Sequence, residues 1–285
     1  MATKSDLPAF LDYFGPTIEA MKAKGGSTTI EEMEEDVAAR MALSEELRAV
    51  PHGEGPRTQF QYELAWVRTY LKKAGAAENS ERGVWSLTDL GEKLSKKQAE
   101  QIPSQVRNDE QSKRKAKLPA TKIDDAGIED DSIDFWADQL LLELLTLKSD
   151  AFERLCQRLL RESGFTRVDV TGRSGDGGID GIGLLRVNLV SFQVLFQCKK
   201  WKGGVGSKEV RDFRGAMIGR ADKGLIITTG HFTADVRKEA ARDGAPAIDL
   251  IDGEALCLLM KDVRLGVHVK QVEEITLNKE FFASI

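Results

Sequence analysis

The second half of the chain alternates between short apolar segments with strand character and longer segments with helical apolar spacing. From about residue 134 the helices predicted from this spacing are 135–147, 150–163, 207–219, 233–243 and 253–261. The strands predicted between them are 167–171, 182–186, 191–199, 224–229 and 247–251. This alternation is typical of an α/β domain, in which helices flank a central mixed sheet. We predict such a domain over residues 134–285.

The first part of the sequence is mainly helical and ends in a short hairpin. A first amphipathic helix is predicted from the spacing of Leu7, Phe10, Leu11 and Phe14. A second helix begins near Thr28 or Thr29, and a short third helix is predicted at residues 44–47. After a loop at residues 51–56, a longer helix covers residues 58–75 with one apolar stripe and Gly75 after its last turn. Residues 76–87 then resemble two short strands around a turn. Helices followed by a hairpin indicate a winged helix-turn-helix domain, which we predict over residues 1–98.

Between the two patterned regions the apolar periodicity disappears and charge segregates. Basic residues at 113–117 are followed by an acidic stretch at 124–134. Such blocks are typical of a solvated linker, which we predict over residues 99–133.

The composition excludes several classes of protein. No apolar run approaches the roughly 20 residues that a membrane helix needs, and no signal segment precedes the first helix, so a cytoplasmic location is expected. Cys156, Cys198 and Cys257 are widely spaced, which argues against a disulfide framework or a zinc ribbon. The net charge of −5 still permits nucleic-acid binding, because local patches matter more than the total.

The segment Ser191–Lys199 (SFQVLFQCK) predicts a strand with two chemically different faces. Phe196 and Cys198 fall on an apolar face, while Gln197 and Lys199 emerge together on the opposite face. Lysine is rarely buried without a partner, so Lys199 requires an anion or a solvent-filled cleft. The strand alone equally allows a lysine that simply reaches water at the strand's end.

Two acidic residues turn this strand into a candidate catalytic site. Asp180 lies on the preceding β segment, where it can meet Gln197 and Lys199 across the sheet. Carboxylate and amide oxygens suit Mg²⁺, which polarises a phosphodiester and activates a bound water. Glu153, at the edge of the buried stripe of its helix, is a further candidate, although an acid in a first helical turn is also ordinary.

Several blocks of the second domain resemble the catalytic domain of Mrr-type restriction endonucleases, a branch of the PD-(D/E)xK nuclease superfamily. These blocks are FERLCQRLLRESGF, VDVTGRSGDGGIDGIG, FQCKKWKGGVGSKEVRDFRGAM, ADKGLIITTGHFT and EAARDGAPAIDLIDGEAL, within about residues 147–260. QYELAWVRTYLKKAG and RGVWSLTDLG similarly resemble the Mrr N-terminal winged-helix domain.

The resemblance implies specific roles for residues of this chain. Asp180 becomes the metal-binding acid, Gln197 and Lys199 the Q-x-K pair, and Glu153 the helix acid. Separately, Asp176 within the glycine run is a candidate ligand that ranks below Asp180. Gln197 replaces the superfamily's usual acid, as is common among Mrr-like members. The implied activity is Mg²⁺-dependent restriction of foreign, methylated DNA, with Mn²⁺ as a substitute. Because both strands are cut, a dimer or tetramer is expected.

Candidate DNA contacts follow from the predicted winged-helix domain and from the basic segment after the predicted strand 191–199. The third helix normally enters the major groove and the hairpin contacts the backbone or minor groove. The candidates taken to be exposed there are Arg57, Thr58, Gln61, Tyr62, Thr69, Lys73 and, at the wing tip, Arg82. In the nuclease domain Lys200, Lys202, Lys208, Arg211 and Arg214 are candidates for phosphate contacts. A winged helix used for protein contacts remains an alternative.

Two other functional hypotheses remain beside the endonuclease. One is a DNA-binding regulator with an inactive nuclease fold, which the joint presence of Asp180, Gln197 and Lys199 disfavours. The other is a nucleotide-binding enzyme that uses the glycine run Gly172–Gly183. Neither G-x-x-x-x-G-K-[ST] nor a G-x-G-x-x-G between strand and helix occurs, so the run more plausibly forms a turn leading to Asp180.

Overall fold

A computed structural model describes residues 2–81, 83–108, 133–170 and 179–270, and within these ranges two domains have separate hydrophobic cores. The elements of the first domain are α1 (Phe14–Ala23), β1 (Ser27–Thr29), α2 (Ile30–Arg40), α3 (Glu45–Arg48), α4 (Gln59–Lys73), β2 (Ala77–Glu81), β3 (Val84–Leu87), α5 (Asp89–Lys93), α6 (Lys96–Ala99) and α7 (102–108).

The first domain has winged-helix topology. Its sheet has the order β1-β3-β2, so the short strand after α1 pairs with the second strand of the hairpin. Thr29 and Thr58 are the N-cap residues of α2 and α4. Each side-chain oxygen accepts a hydrogen bond from a backbone N–H in the first turn of its helix. The N-terminal helix differs from the prediction. It starts at Phe14 because Pro16 fits only a first turn, and a 3₁₀ turn occupies residues 10–13.

The second domain is built on a five-stranded mixed sheet. Its elements are α8 (Ile133–Thr146), α9 (Ser149–Glu162), β4 (Phe165–Val170), β5 (Gly181–Val187), β6 (Val190–Lys199), β7 (Gly204–Val205), α10 (Ser207–Met217), β8 (Lys223–Thr228), β9 (His231–Phe232), α11 (Ala234–Ala240), β10 (Ile248–Ile251) and α12 (Gly253–Asp262). The strand order is β10-β8-β6-β5-β4, antiparallel from β4 to β6 and parallel from β6 to β10.

Helices cover both faces of this sheet. One core joins α8, α9 and α12 to the face that carries Phe196 and Cys198, and the other joins α10 and α11 to the face that carries Leu195. The predicted α/β fold class and the alternation along β6 are therefore confirmed.

The first domain's core continues beyond the predicted boundary at residue 98. Ile102 and Val106 in α7 are buried within that core. Most of the predicted linker, the wing-tip residue Arg82, and residues 171–178 with Asp176 lie outside the described residues. Among the described helices, none is long and apolar enough to span a membrane.

Candidate active site

Asp180 is held against β6 by two backbone hydrogen bonds. Its N–H donates to the carbonyl oxygen of Phe196 at 3.0 Å, and its carboxylate Oδ2 accepts from the N–H of Cys198 at 2.6 Å. These two partners lie on either side of Gln197 in the sequence. The carboxylate is therefore fixed beside the end of β6 by main-chain groups on either side of Gln197.

The Asp180 carboxyl group has a perturbed pKa. Burial raises the pKa to about 6, and the nearby charge of Glu153 raises it as well. The Cys198 N–H and the ammonium of Lys199 act in the opposite direction. Both Glu153 and Lys199 are thus close enough to influence Asp180 electrostatically. Perturbation by burial together with specific charges is typical of functional sites.

Lys199 ends β6 on the face predicted for it, and its ammonium has two identifiable contacts. Its Nζ lies 3.7 Å from Oε1 of Glu209 and 5.1 Å from the ring centroid of Trp201. Neither partner was predicted from the sequence. Glu209 lies in the first turn of α10, and its approach to Lys199 depends on how the chain returns after β7, which no local pattern indicates.

The end of β6 is joined to the end of β8 by buried threonine hydroxyls. Thr228 donates to the carbonyl oxygen of Lys199 at 2.8 Å. Thr229 donates to the carbonyl oxygen of Trp201 at 2.8 Å and accepts from its N–H at 2.9 Å. Thr228 also accepts from the N–H of Gly230. Because each buried hydroxyl both donates and accepts a hydrogen bond, the two threonines fix the backbone that carries the lysine.

The cysteines near the site are structural. Cys156, Cys198 and Cys257 are free thiols in the core, and burial raises the pKa values of Cys198 and Cys257 above the ordinary thiol value. Neutral buried thiols are poor nucleophiles, so cysteine chemistry is not indicated at this site.

The side chains near Asp180 supply hard oxygen donors. Asp180 and Glu153 provide carboxylates, and Gln197 provides an amide oxygen. No group of three or more histidine, cysteine or acidic side chains in metal-binding arrangement occurs among the described residues. A site with one or two carboxylates fits Mg²⁺, which retains several waters and binds substrate phosphate.

Several predicted DNA contacts are buried, so the prediction that they are exposed was wrong. Thr58 and Gln61 form the capping box of α4, in which each side chain accepts from the other's N–H. Arg57 is 4% exposed and lies against Asp138 and Glu254 of the nuclease domain. The sequence pattern cannot reveal these positions because a second domain covers them.

Two basic residues of the nuclease domain, which were also candidates for phosphate contacts, form hydrogen bonds with backbone carbonyl groups of the protein itself. Lys200 donates to the carbonyl oxygens of Leu145, at 3.0 Å, and Leu147, at the C-terminal end of α8. Arg214 is buried and donates to the carbonyl oxygens of Pro246, Glu239 and Ala240.

The remaining candidates have some exposure. Tyr62 and Thr69 are half-buried on α4, where Tyr62 stacks on the His52 ring with 3.6 Å between centroids. The exposed side chains among the predicted contacts are those of Lys73, Lys202, Lys208 and Arg211.

Comparisons with known proteins agree with this organisation. Residues 144–260 match a family described as Restriction endonuclease, and residues 10–97 match the Mrr N-terminal domain. The Type IV methyl-directed restriction enzyme EcoKMrr of Escherichia coli (strain K12) is 27% identical over 97% of this chain and 99% of its own length. Uncharacterized mitochondrial protein C824.03c of Schizosaccharomyces pombe (strain 972 / ATCC 24843) is 30% identical over 41% of this chain and 45% of its own.

Two solved restriction endonucleases are matched over part of their length. MspJI, in complex with a 27-mer oligonucleotide, gives a TM-score of 0.40 at 22% identity, covering 62% of this chain and 42% of that chain. AspBHI, a DNA modification-dependent enzyme, gives 0.40 at 18% identity, covering 67% and 56%. This chain thus spans about half the length of each.

The mixed sheet and the two matched domains define a nuclease of the restriction-endonuclease class. The chain belongs to the Mrr family of restriction endonucleases, with its catalytic domain preceded by the Mrr N-terminal domain.

Proposed function

We propose that this chain is a Mg²⁺-dependent, type IV endodeoxyribonuclease that cleaves foreign double-stranded DNA carrying methylated bases. The observation that supports it best is the neighbouring position of Asp180, Gln197 and Lys199 where β5 begins and β6 ends. The methyl-directed activity in the name of EcoKMrr, which aligns over nearly the whole chain, supports modified DNA as substrate.

Asp180 and Gln197 would hold the metal, and Glu153, whose charge acts on the Asp180 carboxyl group, is the candidate for a second carboxylate ligand. Mn²⁺ offers similar chemistry to such oxygen donors and is a possible substitute. When bound, the cation supplies charge at the scissile phosphate and lowers the pKa of a coordinated water. The N–H of Cys198 keeps the Asp180 carboxylate in one orientation, so the site is formed before DNA arrives.

Lys199 is proposed to act on the attacking water and on the developing phosphate charge. Its ammonium lies on the face of β6 shared with Gln197, and the contacts with Glu209 and Trp201 restrict its position. A cation held near a phosphoryl group stabilises charge that appears in the transition state. The same ammonium can donate a hydrogen bond that orients the water.

Cleavage of both strands requires two copies of this site, because each chain supplies one. A homo-oligomer, a dimer or tetramer, is therefore part of the proposal, as is action in the cytoplasm, where incoming DNA is exposed to a bacterial restriction enzyme.

The test is a cleavage screen with purified protein on matched plasmids. The plasmids are unmodified or carry methyladenine, methylcytosine or hydroxymethylcytosine, and each is incubated with Mg²⁺, Mn²⁺ or EDTA. We expect metal-dependent cleavage of at least one methylated plasmid and little cleavage of the unmodified one. Tight binding without cleavage on every substrate would instead favour a DNA-binding regulator.

Site variants connect any activity to the proposed residues. Asp180→Asn and Lys199→Met should abolish cleavage while DNA binding in EDTA is retained. Matched controls are Asp169→Asn, a 55%-exposed acid on the neighbouring strand β4, and Lys223→Met, a 46%-exposed lysine at the start of β8. Wild-type cleavage rates in the two site variants would refute the assignment.

A further inference from the structure

Charged side chains make several of the contacts between the two domains. No core cluster among the described residues contains side chains of both domains. Arg57 and Arg68, from the winged-helix domain, instead meet acidic side chains of the nuclease domain. A solvent-open cleft of about 560 Å³ lies between α2 and α11. Domain interfaces of this polar, incompletely packed kind are typical of domains that separate.

Glu254 is the centre of this contact. One of its carboxylate oxygens, Oε1, lies 2.6 Å from Nη2 of Arg68, and the other, Oε2, lies 3.5 Å from Nη2 of Arg57. Arg57 also lies 3.3 Å from Asp138. One anion between two guanidinium groups is also the arrangement with which arginines bind phosphate oxygens.

The two arginines belong to the part of the winged helix that faces DNA in such domains. Arg68 lies on α4, the helix immediately before the hairpin, and Arg57 immediately precedes the residue that caps it. Gln61, one turn into α4, borders a narrow gap shared with His231 and Phe232 of the nuclease domain. With Arg57 at 4% and Arg68 at 2% exposure, DNA cannot reach either guanidinium in this arrangement.

We propose that Arg57 and Arg68 form a binding site for DNA backbone phosphate, and that Glu254 occupies this site while the domains are in contact. DNA binding through α4 and the domain contact are then mutually exclusive. The inference rests on the proposed function only in taking double-stranded DNA as the partner. Separation leaves each domain with an intact core, and the ion pairs are among the contacts that are lost. New phosphate contacts replace these pairs and release counterions.

A second ion-pair group contributes to the closed arrangement with the opposite polarity. Arg237 of the nuclease domain contacts Glu31 of the winged helix, and it lies 3.6 Å from Asp252 at the start of α12. This second ion-pair group does not involve the proposed phosphate site. It allows the closed arrangement to persist in part when Glu254 is neutralised, so the expected effect is a shift in population.

The experiment measures binding of the full-length protein to a short DNA duplex in EDTA by fluorescence anisotropy over a salt series. Glu254→Gln should bind about three- to tenfold more tightly than wild type, with a steeper salt dependence because more phosphates are contacted. Asp249→Asn removes one negative charge from an exposed position of the same domain and should bind as wild type does. The double variant Glu254→Gln/Arg68→Gln should lose the gain.

Two results would overturn the inference. Equal affinity of Glu254→Gln and Asp249→Asn would mean that Glu254 does not compete with DNA. A gain that survives in the double variant would mean that Arg68 is not a phosphate ligand. If Glu254→Gln does not fold, Asp138→Asn with and without Arg57→Gln repeats the comparison at the other arginine. Since binding is measured without metal, absence of cleavage by the wild type would count against the proposed function alone.

Discussion

The ammonium nitrogen of Lys199 lies 3.7 Å from Oε1 of Glu209, and the two side chains are similarly half-buried, at 28% and 29% exposure. The pair joins the end of β6 to the first turn of α10, which follows β6 after β7. The ion pair restricts a flexible four-carbon side chain to one side of the site.

We predict that Glu209→Gln lowers kcat for plasmid cleavage by about tenfold with little change in KM, because misplacement of a catalytic group affects the transition state more than binding. Single-turnover cleavage measures the effect. Asp212→Asn, on the exposed side of α10, is the matched control. A cleavage rate for Glu209→Gln equal to that of Asp212→Asn would contradict the prediction.

Gly181 is the residue after Asp180, and the fold leaves no space for a side chain there. An added Cβ would lie 2.3 Å from the carbonyl oxygen of Asp169 and 2.5 Å from the Phe196 ring. Gly181→Ala should therefore destabilise the domain by at least about 2 kcal/mol and disturb the Asp180 bonds to β6. Thermal unfolding and cleavage assays measure the two effects.

Gly215 in α10 provides the opposite case, because an added Cβ there meets nothing within 4 Å. Gly215→Ala should raise stability by up to about 1 kcal/mol through helix propensity and should leave cleavage intact. If the two alanine variants unfold at the same temperature, the close packing at Gly181 does not limit stability and the prediction is wrong.

The fold was predictable from the sequence where one local pattern determines one environment. Alternation along β6 places Phe196 in the core and Lys199 at the site, and that assignment needs no knowledge of other elements. The Glu209 contact and the burial of Arg57 were not predictable in this way. Both depend on which distant segment of the chain packs against the residue in question. The sequence around a charged residue looks the same whether its side chain faces solvent or a buried carboxylate.

Lys200 and Lys202 differ in their contacts although both closely follow β6. Lys200 holds the carbonyl groups at the end of α8, whereas the side chain of Lys202 is exposed. Lys200→Met should lower the free energy of unfolding by about 1–3 kcal/mol and leave the salt dependence of DNA binding unchanged. Lys202→Met should keep stability and reduce the slope of log affinity against log salt by about 1. The reverse pattern in chemical denaturation and anisotropy titrations would show that the two roles are exchanged.

Glu34 gives the domain contact a pH dependence. It is buried on α2, accepts a hydrogen bond from Gln61 at 3.4 Å, and has a pKa raised to about 7. Burial is the main cause, and the charges of Glu254 and Asp252 raise the pKa further, while Arg237 and Arg68 lower it.

The sign of the effect follows from where the proton is bound. Between an unfolded pKa of 4.5 and the folded value of about 7, the folded state holds more protons at Glu34, so its contribution to stability falls as pH rises across this range. Glu34→Gln should remove this fall and raise the free energy of unfolding at pH 8 by up to about 3 kcal/mol. Urea denaturation at pH 5 and pH 8 measures this change in the free energy of unfolding, with the exposed neighbour Glu35→Gln as control.

Because Glu254 and Asp252 belong to the other domain, separating the domains reduces the electrostatic repulsion of a charged Glu34. The same variant should therefore favour the closed arrangement and weaken DNA binding at pH 8, and a tighter complex would count against this coupling.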